Sequence, residues 1–457
     1  GNTLTWDLNN VSPYITNDKT LYQPPIKTIT WCHTGAAIDR EHILTQFANE
    51  YFPARYASDF EENALPEPEL PADLSADEWR EALRACKGMV LRQESYELDV
   101  DSLHADDPKE VPVRIYSAAT HNCHIQRLQP RGDNKHAVFL VTESEALSYQ
   151  YELALPKGSE KVSPDPRIAH TLNLRYDEYG NPQQSIAIAY GRVVGNQNAN
   201  LPQADLIDHV QQETHIAYTE TRYTDDVILP APGAGTNPIK HHRLKLPYEV
   251  RTYEITGIPK PINRYFNIGE LRKYVLCEDT LYPPPVPTNQ QINLIPLLYH
   301  EQPRTNDPHR RKVEHACTLF FDDGDDDTGV PKIPTNPLPL GRHGPRGLKY
   351  EDYKLALTKP LLETILGDKF DAAVQDLLNA PNKSGYWQGT QLFGDAGADQ
   401  WWMRSGIAGF ANDAAENFYL PEKYTDPFGN ITKLTYYRPY NLFIQSSTDA
   451  LGNTSGV

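Results

Sequence analysis

The sequence predicts a mainly β fold with a few short α-helices, and three features point there. The first is a turn signal, Tyr176-Asp177-Glu178-Tyr179-Gly180-Asn181, set between two segments of alternating polarity. Before it, Leu172, Leu174 and Tyr176 alternate with Thr171, Asn173 and Arg175; after it, Ile186, Ile188 and Tyr190 alternate with Ser185, Ala187 and Ala189. Period-two alternation on both sides of an Asp-x-x-Gly-Asn turn reads as a β-hairpin. Asp can bond its own backbone two residues on, and Gly takes the positive φ that closes such a loop. The second feature is recurrence: the same spacing returns at Asp426-Pro427-Phe428-Gly429-Asn430 and Asp449-Ala450-Leu451-Gly452-Asn453. Three copies predict a repeated hairpin architecture, and repeats usually build surfaces rather than active sites. The third is composition. Tyr (27) outnumbers Phe (13), Met is nearly absent (2) and Pro reaches 38, which favours aromatic-paired strands and many turns over helical bundles.

Helices are few and marked. Ser75-Ala76-Asp77-Glu78 is a capping box, Trp79, Leu83 and Cys86 can share a face, and Gly88 stops the helix. A second helix is expected over 39–52 with Ile43, Leu44 and Phe47 inward. One or two more are expected over 350–378, using Leu361, Leu362 and Ile365, then Phe370, Val374, Leu377 and Leu378, with Gly367 between them. Short alternating runs at 137–141, 214–223 and 248–255 read as strands.

The chain is long enough for two or three domains or one extended repeat body. Linkers stand out at 61–74, 229–238, 282–287 and 322–347, all rich in Pro. They suggest a β-rich region over 1–256, a Pro-rich elaboration with short helices over 257–382, and β-rich repeats over 383–457. Hydrophobic residues make up 39 %, below the usual share for a compact domain, so either long polar loops or a thin shell with two exposed faces is expected.

A formal charge of −18 argues against nucleic acid or an anionic membrane as main partner, since both need a basic face. No run of eighteen apolar residues spans a bilayer. The start, Gly1 to Trp6, has neither the basic opening nor the apolar core of a secretory signal, and its lack of an initiator Met suggests an excised or processed fragment. The five cysteines, Cys32, Cys86, Cys123, Cys277 and Cys317, are odd in number and widely spaced, so folding in a reducing cytoplasm is expected rather than a disulfide framework.

Catalytic and metal motifs are each weaker than a structural reading. His121, Cys123 and His124 lack a second ligand pair at finger spacing and read as a polar hairpin turn. His241-His242 has no accompanying Glu of a zinc helix. In Asp322–Asp327, calcium-loop alignment puts Thr328 where the sharp-turn Gly belongs and Pro334 where the bidentate Glu belongs; only loose calcium binding stays open. Arg131-Gly132-Asp133 reads as a turn between strands. No nucleophile elbow, phosphate loop or dinucleotide fingerprint occurs. No catalytic residue, metal or cofactor is expected. The aromatic set Tyr386, Trp387, Trp401 and Trp402 is the best candidate binding surface. Because neighbouring strand residues face opposite sides, at most one of Trp401 and Trp402 lies in the core of a one-sided sheet.

In order along the chain, Trp31-Cys32-His33-Thr34-Gly35-Ala36, Gln129-Pro130-Arg131-Gly132-Asp133, Ala146-Leu147-Ser148-Tyr149, the turn at 176–181, Arg251-Thr252-Tyr253-Glu254-Ile255-Thr256-Gly257, Trp401-Trp402, Phe418-Tyr419-Leu420-Pro421 and the turn at 426–430 carry a resemblance. The chain resembles the Rhs/YD-repeat proteins, and specifically the middle-to-C-terminal region of the B component of bacterial insecticidal toxin complexes. Thr425 and Thr448 stand where that family usually has Tyr, so two of the three repeat turns match in part. The resemblance implies a YD-repeat-type β-sheet shell, a cocoon wall that with a C component encloses and chaperones a toxic effector. It implies no enzymatic role, contact with the A-component channel only through regions outside this chain, and folding in the bacterial cytoplasm before release. A cell-surface adhesion or glycan-binding repeat module is the alternative, and a glycoside hydrolase-like β protein the third.

Overall fold

The computed structural model describes residues 25–37, 43–51, 65–103, 105–107, 109–151, 165–192, 202–230, 239–261, 264–277, 282, 284–326, 329–438 and 440–456. The chain divides into two compact units, one formed by 1–217, 259–273 and 285–290, the other by the remaining residues.

In the first unit, six strands pair antiparallel in chain order: β1 (Ile26–Cys32), β2 (Val90–Leu98), β3 (Pro112–Gln129), β4 (Val138–Gln150), β5 (Arg167–Tyr176) and β6 (Pro182–Tyr190). Ile168, His170, Leu172 and Leu174 alternate inward along β5, and Ile186 and Ile188 along β6. Full burial of Leu147, Leu172 and Ile186 contributes about 1.5–3 kcal/mol each relative to exposure. Helix α1 (Ala76–Ala85) begins with the expected capping box: the Ser75 hydroxyl accepts from the Glu78 N–H, and Glu78 accepts from the Ser75 N–H at 3.0 Å. It buries Ala82, Leu83 and Cys86 and ends before Gly88 at φ 87°. The single-turn helix α2 (Ile268–Leu271) has its own capping box through Asn267 and Glu270.

Strand β7 (His215–Tyr223) leads into the second unit, where the order is β7, β10 (Pro247–Thr256), β14 (His309–Phe320), β15 (Lys349–Thr358), β17 (Gln400–Arg404) and β16 (Tyr386–Gln388). A hairpin of β8 (Val227–Pro230) and β9 (Ile239–Arg243) interrupts the series. Two short parallel pairings also occur, β11 (Tyr274–Val275) with β12 (Ile292–Asn293) and β13 (Ile295–Leu297) with β14. Helices α3 (Lys359–Leu366) and α4 (Ala372–Leu378) follow β15, separated at Gly367 as expected. A separate five-stranded meander closes the chain: β18 (Ile407–Gly409), β19 (Lys423–Thr425), β20 (Ile431–Tyr436), β21 (Ile444–Thr448) and β22 (Thr454–Gly456).

Several expectations are corrected. The stretch 257–382 supplies the long strands β14 and β15 as well as the expected short helices. The inward residues of β14 include His309, His315 and Cys317, so its alternation is hidden from a hydrophobicity pattern. For the same reason the helical reading from residue 350 starts too early; helix begins at Lys359. Ile365 and Leu377, two of the apolar residues expected to carry those helices, are exposed. The described part of 39–52 holds only a 3₁₀ turn, Ala48–Glu50, although Ile43 and Leu44 are buried as expected. The N–H groups of Ile43 and Leu44 donate to Glu67 Oε2, at 3.0 and 3.3 Å, where a helix would need its own carbonyls. Residues 38–42, 61–64 and 231–238, and with them parts of that helix and of two linkers, lie outside the described residues.

Candidate functional site

The three repeat turns are built identically. Asp177 donates its N–H to Asn181 O at 3.0 Å, and Gly180 N–H returns to Asp177 O at 3.2 Å. Asp177 Oδ1 accepts from the Tyr179 and Asn181 N–H groups, and Asn181 Nδ2 donates to Asp177 Oδ2, all at 2.9 Å. The bonds recur at Asp426–Asn430 and Asp449–Asn453 within 2.8–3.1 Å. Gly180, Gly429 and Gly452 sit at φ 85°, 88° and 88°, a region that costs other residues strain. Each residue type is therefore specified: a carboxylate for the N–H groups, glycine for the φ, and an amide to tie the carboxylate's second oxygen. Asn430 and Asn453 donors hold the Asp426 and Asp449 carboxyls below their usual range. A fourth copy escaped the sequence reading. Asp326 N–H donates to Val330 O at 2.8 Å, Gly329 N–H to Asp326 O at 2.9 Å, and Asp326 Oδ1 accepts from Val330 N–H at 2.9 Å. Its signal was the Asp-x-x-Gly spacing; Val330 replaces the amide.

Two of the four aromatic residues, Trp401 and Trp402, are interior rather than on an open surface. They are 2 % and 0 % exposed, so both faces of β17 are covered and the sheet is not one-sided there. Trp401 Nε1 donates to Asn379 Oδ1 at 2.9 Å, and its ring meets Phe370 edge-on at 6.2 Å. Trp402 packs against His315 at 4.7 Å and Phe393 at 5.3 Å. Trp387 is half-buried between Tyr353 at 5.0 Å and the Arg404 guanidinium at 4.8 Å, and Tyr386 is also half-buried.

Sequence reasoning also missed a ladder of buried charges across the second unit. Register aligns Glu249 with Cys317, Cys317 with Tyr353 and Tyr353 with Arg404, so β10, β14, β15 and β17 contribute one cross-strand row. Glu249 Oε1 accepts from His315 Nε2 at 2.7 Å and Arg251 Nε at 2.8 Å; Arg222 reaches Oε2 at 3.3 Å. Arg404 forks onto Glu351 at 2.9 and 3.1 Å, and Tyr353 donates to the same carboxylate. Burial works to raise the Glu249 pKa, but His315, Arg251 and Arg222 outweigh it and hold it at about 2. Burial pushes His315 down to about 4, against the pull of Glu249, so it stays neutral at pH 7. The first unit has a counterpart: Arg92 binds Glu94 at 2.7 Å, and Glu145 accepts from Asn122 at 2.9 Å and pairs with His170 at 3.1 Å. The available signal was i, i+2 charge pairs such as Glu220/Arg222 and Glu249/Arg251, which place both members on one strand face.

Among the described residues, Glu249, His315 and Cys317 bring three metal-type donor atoms within 4.8 Å. Two guanidiniums already occupy that carboxylate, so the trio suits charge pairing better than an added cation. The other motifs resolve as structure. His121, Cys123 and His124 lie mid-strand on β3 beside a bulge, which corrects the hairpin-turn reading; His121 pairs with Glu143 at 2.7 Å, and Cys123 turns inward. His241 meets Asp325 at 3.1 Å. Asp323 is fully buried and accepts from the Arg346 and Leu348 N–H groups, while Asp322 pairs with Lys332, so acids of the calcium-like run are committed to the loop itself. Arg131-Gly132-Asp133 turns between β3 and β4, with Arg131 N–H on Glu78 at 2.9 Å. That bond, then the one from Ser75, holds the Glu78 carboxyl at about 2. All five cysteines are free thiols. No helix among the described residues is long and apolar enough to cross a membrane.

Comparison with known proteins places this geometry. Residues 81–227 match the family model described as insecticide toxin TcdB middle/C-terminal region. No curated protein matches. The TcdB2-TccC3 crystal structure superposes over 95 % of this chain and 19 % of its own, with TM-score 0.59 and 17 % identity. The Photorhabdus luminescens Tc holotoxin pore carrying a TccC3 mutation gives 95 %, 17 %, 0.58 and 18 % in the same order. TcdB2-TccC3 without its hypervariable C-terminal region gives 95 %, 19 %, 0.57 and 18 %. The chain spans about a fifth of the length of these structures. Over 81–227 the chain is similar in sequence to the insecticide toxin TcdB middle/C-terminal region, and over nearly its whole length it shares the fold of the TcdB2-TccC3 structures.

Proposed function

We propose that this chain is a non-catalytic wall segment of a toxin-complex shell that encloses and chaperones an effector polypeptide. The observation that carries the reading is the shared fold: 95 % of the chain superposes on TcdB2-TccC3 at TM-score 0.59. A wall needs paired strands, closed hairpins and a rigid interior rather than a nucleophile. The antiparallel series of each unit, the Asp-x-x-Gly-Asn turns and the doubly covered β17 suit that job. On this reading the three turns are YD-type repeat turns, and the partner is a C component carrying the effector. Any A-component contact is made by regions outside this chain. Folding takes place in the bacterial cytoplasm and release follows. A glycan platform finds less support, because Trp401 and Trp402 are interior.

The test is co-expression of the full-length protein containing this sequence with a C component. Co-purification and resistance of the effector to protease until the complex is denatured are expected. Separate elution, or digestion of the effector at the rate of the free polypeptide, overturns the reading.

A further inference from the structure

Strand β14 is covered unevenly along its two edges. β10 pairs with one edge from His309 to Cys317, so β13 and β15 share the other. On that shared edge the β13 pairing stops at Arg311 and the β15 pairing begins at Ala316; among the described residues, no strand lies beside Val313–His315 there. The β10 register skips Val313, a bulge that leaves this exposed residue outside both ladders. β15 opens at the same place: Leu355, Leu357 and Thr358 pair with β17 but with no residue of β14. The sheet therefore forks, and a cavity of 620 Å³ within the second unit lies in the fork. Val313, His315, Leu355 and Ala356 line it, with Leu298 beyond β13 and Leu361 of α3. Two buried atoms of the lining, His315 Nδ1 and Gln400 Oε1, have no hydrogen-bond partner among the described residues. With Nε2–H on Glu249, His315 Nδ1 is an acceptor, as Gln400 Oε1 is. The acids of the lining are bridged to lysines, Glu314 to Lys354 at 2.5 Å and Asp399 to Lys359 at 4.0 Å. Arg310 meets the Val275 carbonyl at 2.9 Å and Lys312 the Tyr253 ring at 5.8 Å, contacts that leave their positive charge in place.

We propose that the fork between β14 and β15 takes an extended segment of another polypeptide, apolar at alternate residues and carrying a carboxylate, added as a strand along Val313–His315. An open strand edge presents N–H and C=O groups to a further chain, and pockets for alternate side chains then select its sequence. From Arg311 to Ala316 the edge runs roughly 15 Å at about 3.3 Å per residue, the length of about four residues of an added strand. Apolar side chains of the segment meet Leu298, Leu355 and Leu361, and its carboxylate meets Arg310 and Lys312. Hydroxyl or amide donors on it satisfy His315 Nδ1 and Gln400 Oε1. The cleft is built by this chain alone, so its occupation does not depend on the toxin-complex reading.

The probe is a fluorescein-labelled peptide, Glu-Val-Thr-Val-Thr-Val, titrated with the full chain and read by fluorescence polarisation. Saturable binding is expected. Methylating the peptide's backbone amides keeps every side chain but removes the donors of strand pairing, and should weaken binding about tenfold or more. A peptide opening on Lys instead of Glu should bind more weakly, and Lys312→Glu should reverse that order. Val313→Arg, at an exposed position, should abolish binding with the Tm unchanged. A benzophenone in place of the middle valine should crosslink to Val313–His315 or Leu355–Thr358. No saturable binding, equal affinity of the methylated peptide, unchanged affinity in Val313→Arg, or crosslinks elsewhere overturn the proposal. Dimerisation of the chain that Val313→Arg abolishes would give the fork to a second copy and overturn it as well.

Discussion

The hairpin β5–β6 and the hairpins of the closing meander share one turn and differ in everything around it. In the first, Asp177 is buried and a side chain at Gly180 would meet Thr142 Cγ2 at 2.9 Å. In the others the turn projects into solvent: Leu451 is 89 % exposed, and Gly429 and Gly452 have open space around them. Yet the hydrogen bonds agree to about a tenth of an ångström. The turn is therefore local chemistry, independent of tertiary packing, whereas stability is concentrated where strands are covered on both faces. The meander exposes Phe418, Tyr440, Leu442 and Phe443 at 70–79 %, while the β10–β14–β15–β17 sheet buries Trp402 and a charge ladder.

The sharpest way to break that contrast is Glu249→Ala. It strands His315, Arg251 and Arg222 in a buried site and should cost about 3–5 kcal/mol in denaturant unfolding. Trp402→Ala should cost a similar ~3–5 kcal/mol through the cavity it leaves, against within about 0.5 kcal/mol for Leu451→Ala at the exposed turn. Acid should act on the same sheet. The folded pKa of His315 lies at about 4, below its unfolded value of about 6.5, so the folded state binds fewer protons between them. Its contribution is complete above about pH 6.5 and is lost as pH falls toward 4; the Glu249 contribution follows, lost from about 4.3 toward 2. His315→Gln should flatten the stability curve between pH 6.5 and 4, whereas an unchanged slope would assign the acid sensitivity elsewhere. The smallest effect separates the turns. Gly452→Ala should cost about 1–2 kcal/mol from positive φ alone, read as faster local hydrogen exchange. Gly180→Ala adds the Thr142 contact and should cost more. Equal costs would mean that context does not reach the turn.

The same contrast explains what was legible in the sequence. Turns and caps are written in neighbouring residues, so Asp177–Asn181 and the Ser75/Glu78 box could be read directly. Strand β14 could not, because its inward face carries His309, His315 and Cys317, whose burial depends on neighbouring strands, as His315 does on Glu249, 66 residues away. Trp401 and Trp402 fell between the two. Their opposite orientation followed from strand geometry, but the cover over each face comes from separate elements, Phe370 and Asn379 for Trp401, and Phe393 and His315 for Trp402. The turn at Asp326 was hidden inside an acidic run that invited a cation reading.

The most direct test of the wall reading is cryo-electron microscopy of the full-length protein bound to its C component. The account predicts that the strands of both units lie in the wall of a closed hollow shell, with density for the effector inside. A solid assembly in which this region forms a compact domain outside any cavity would contradict it.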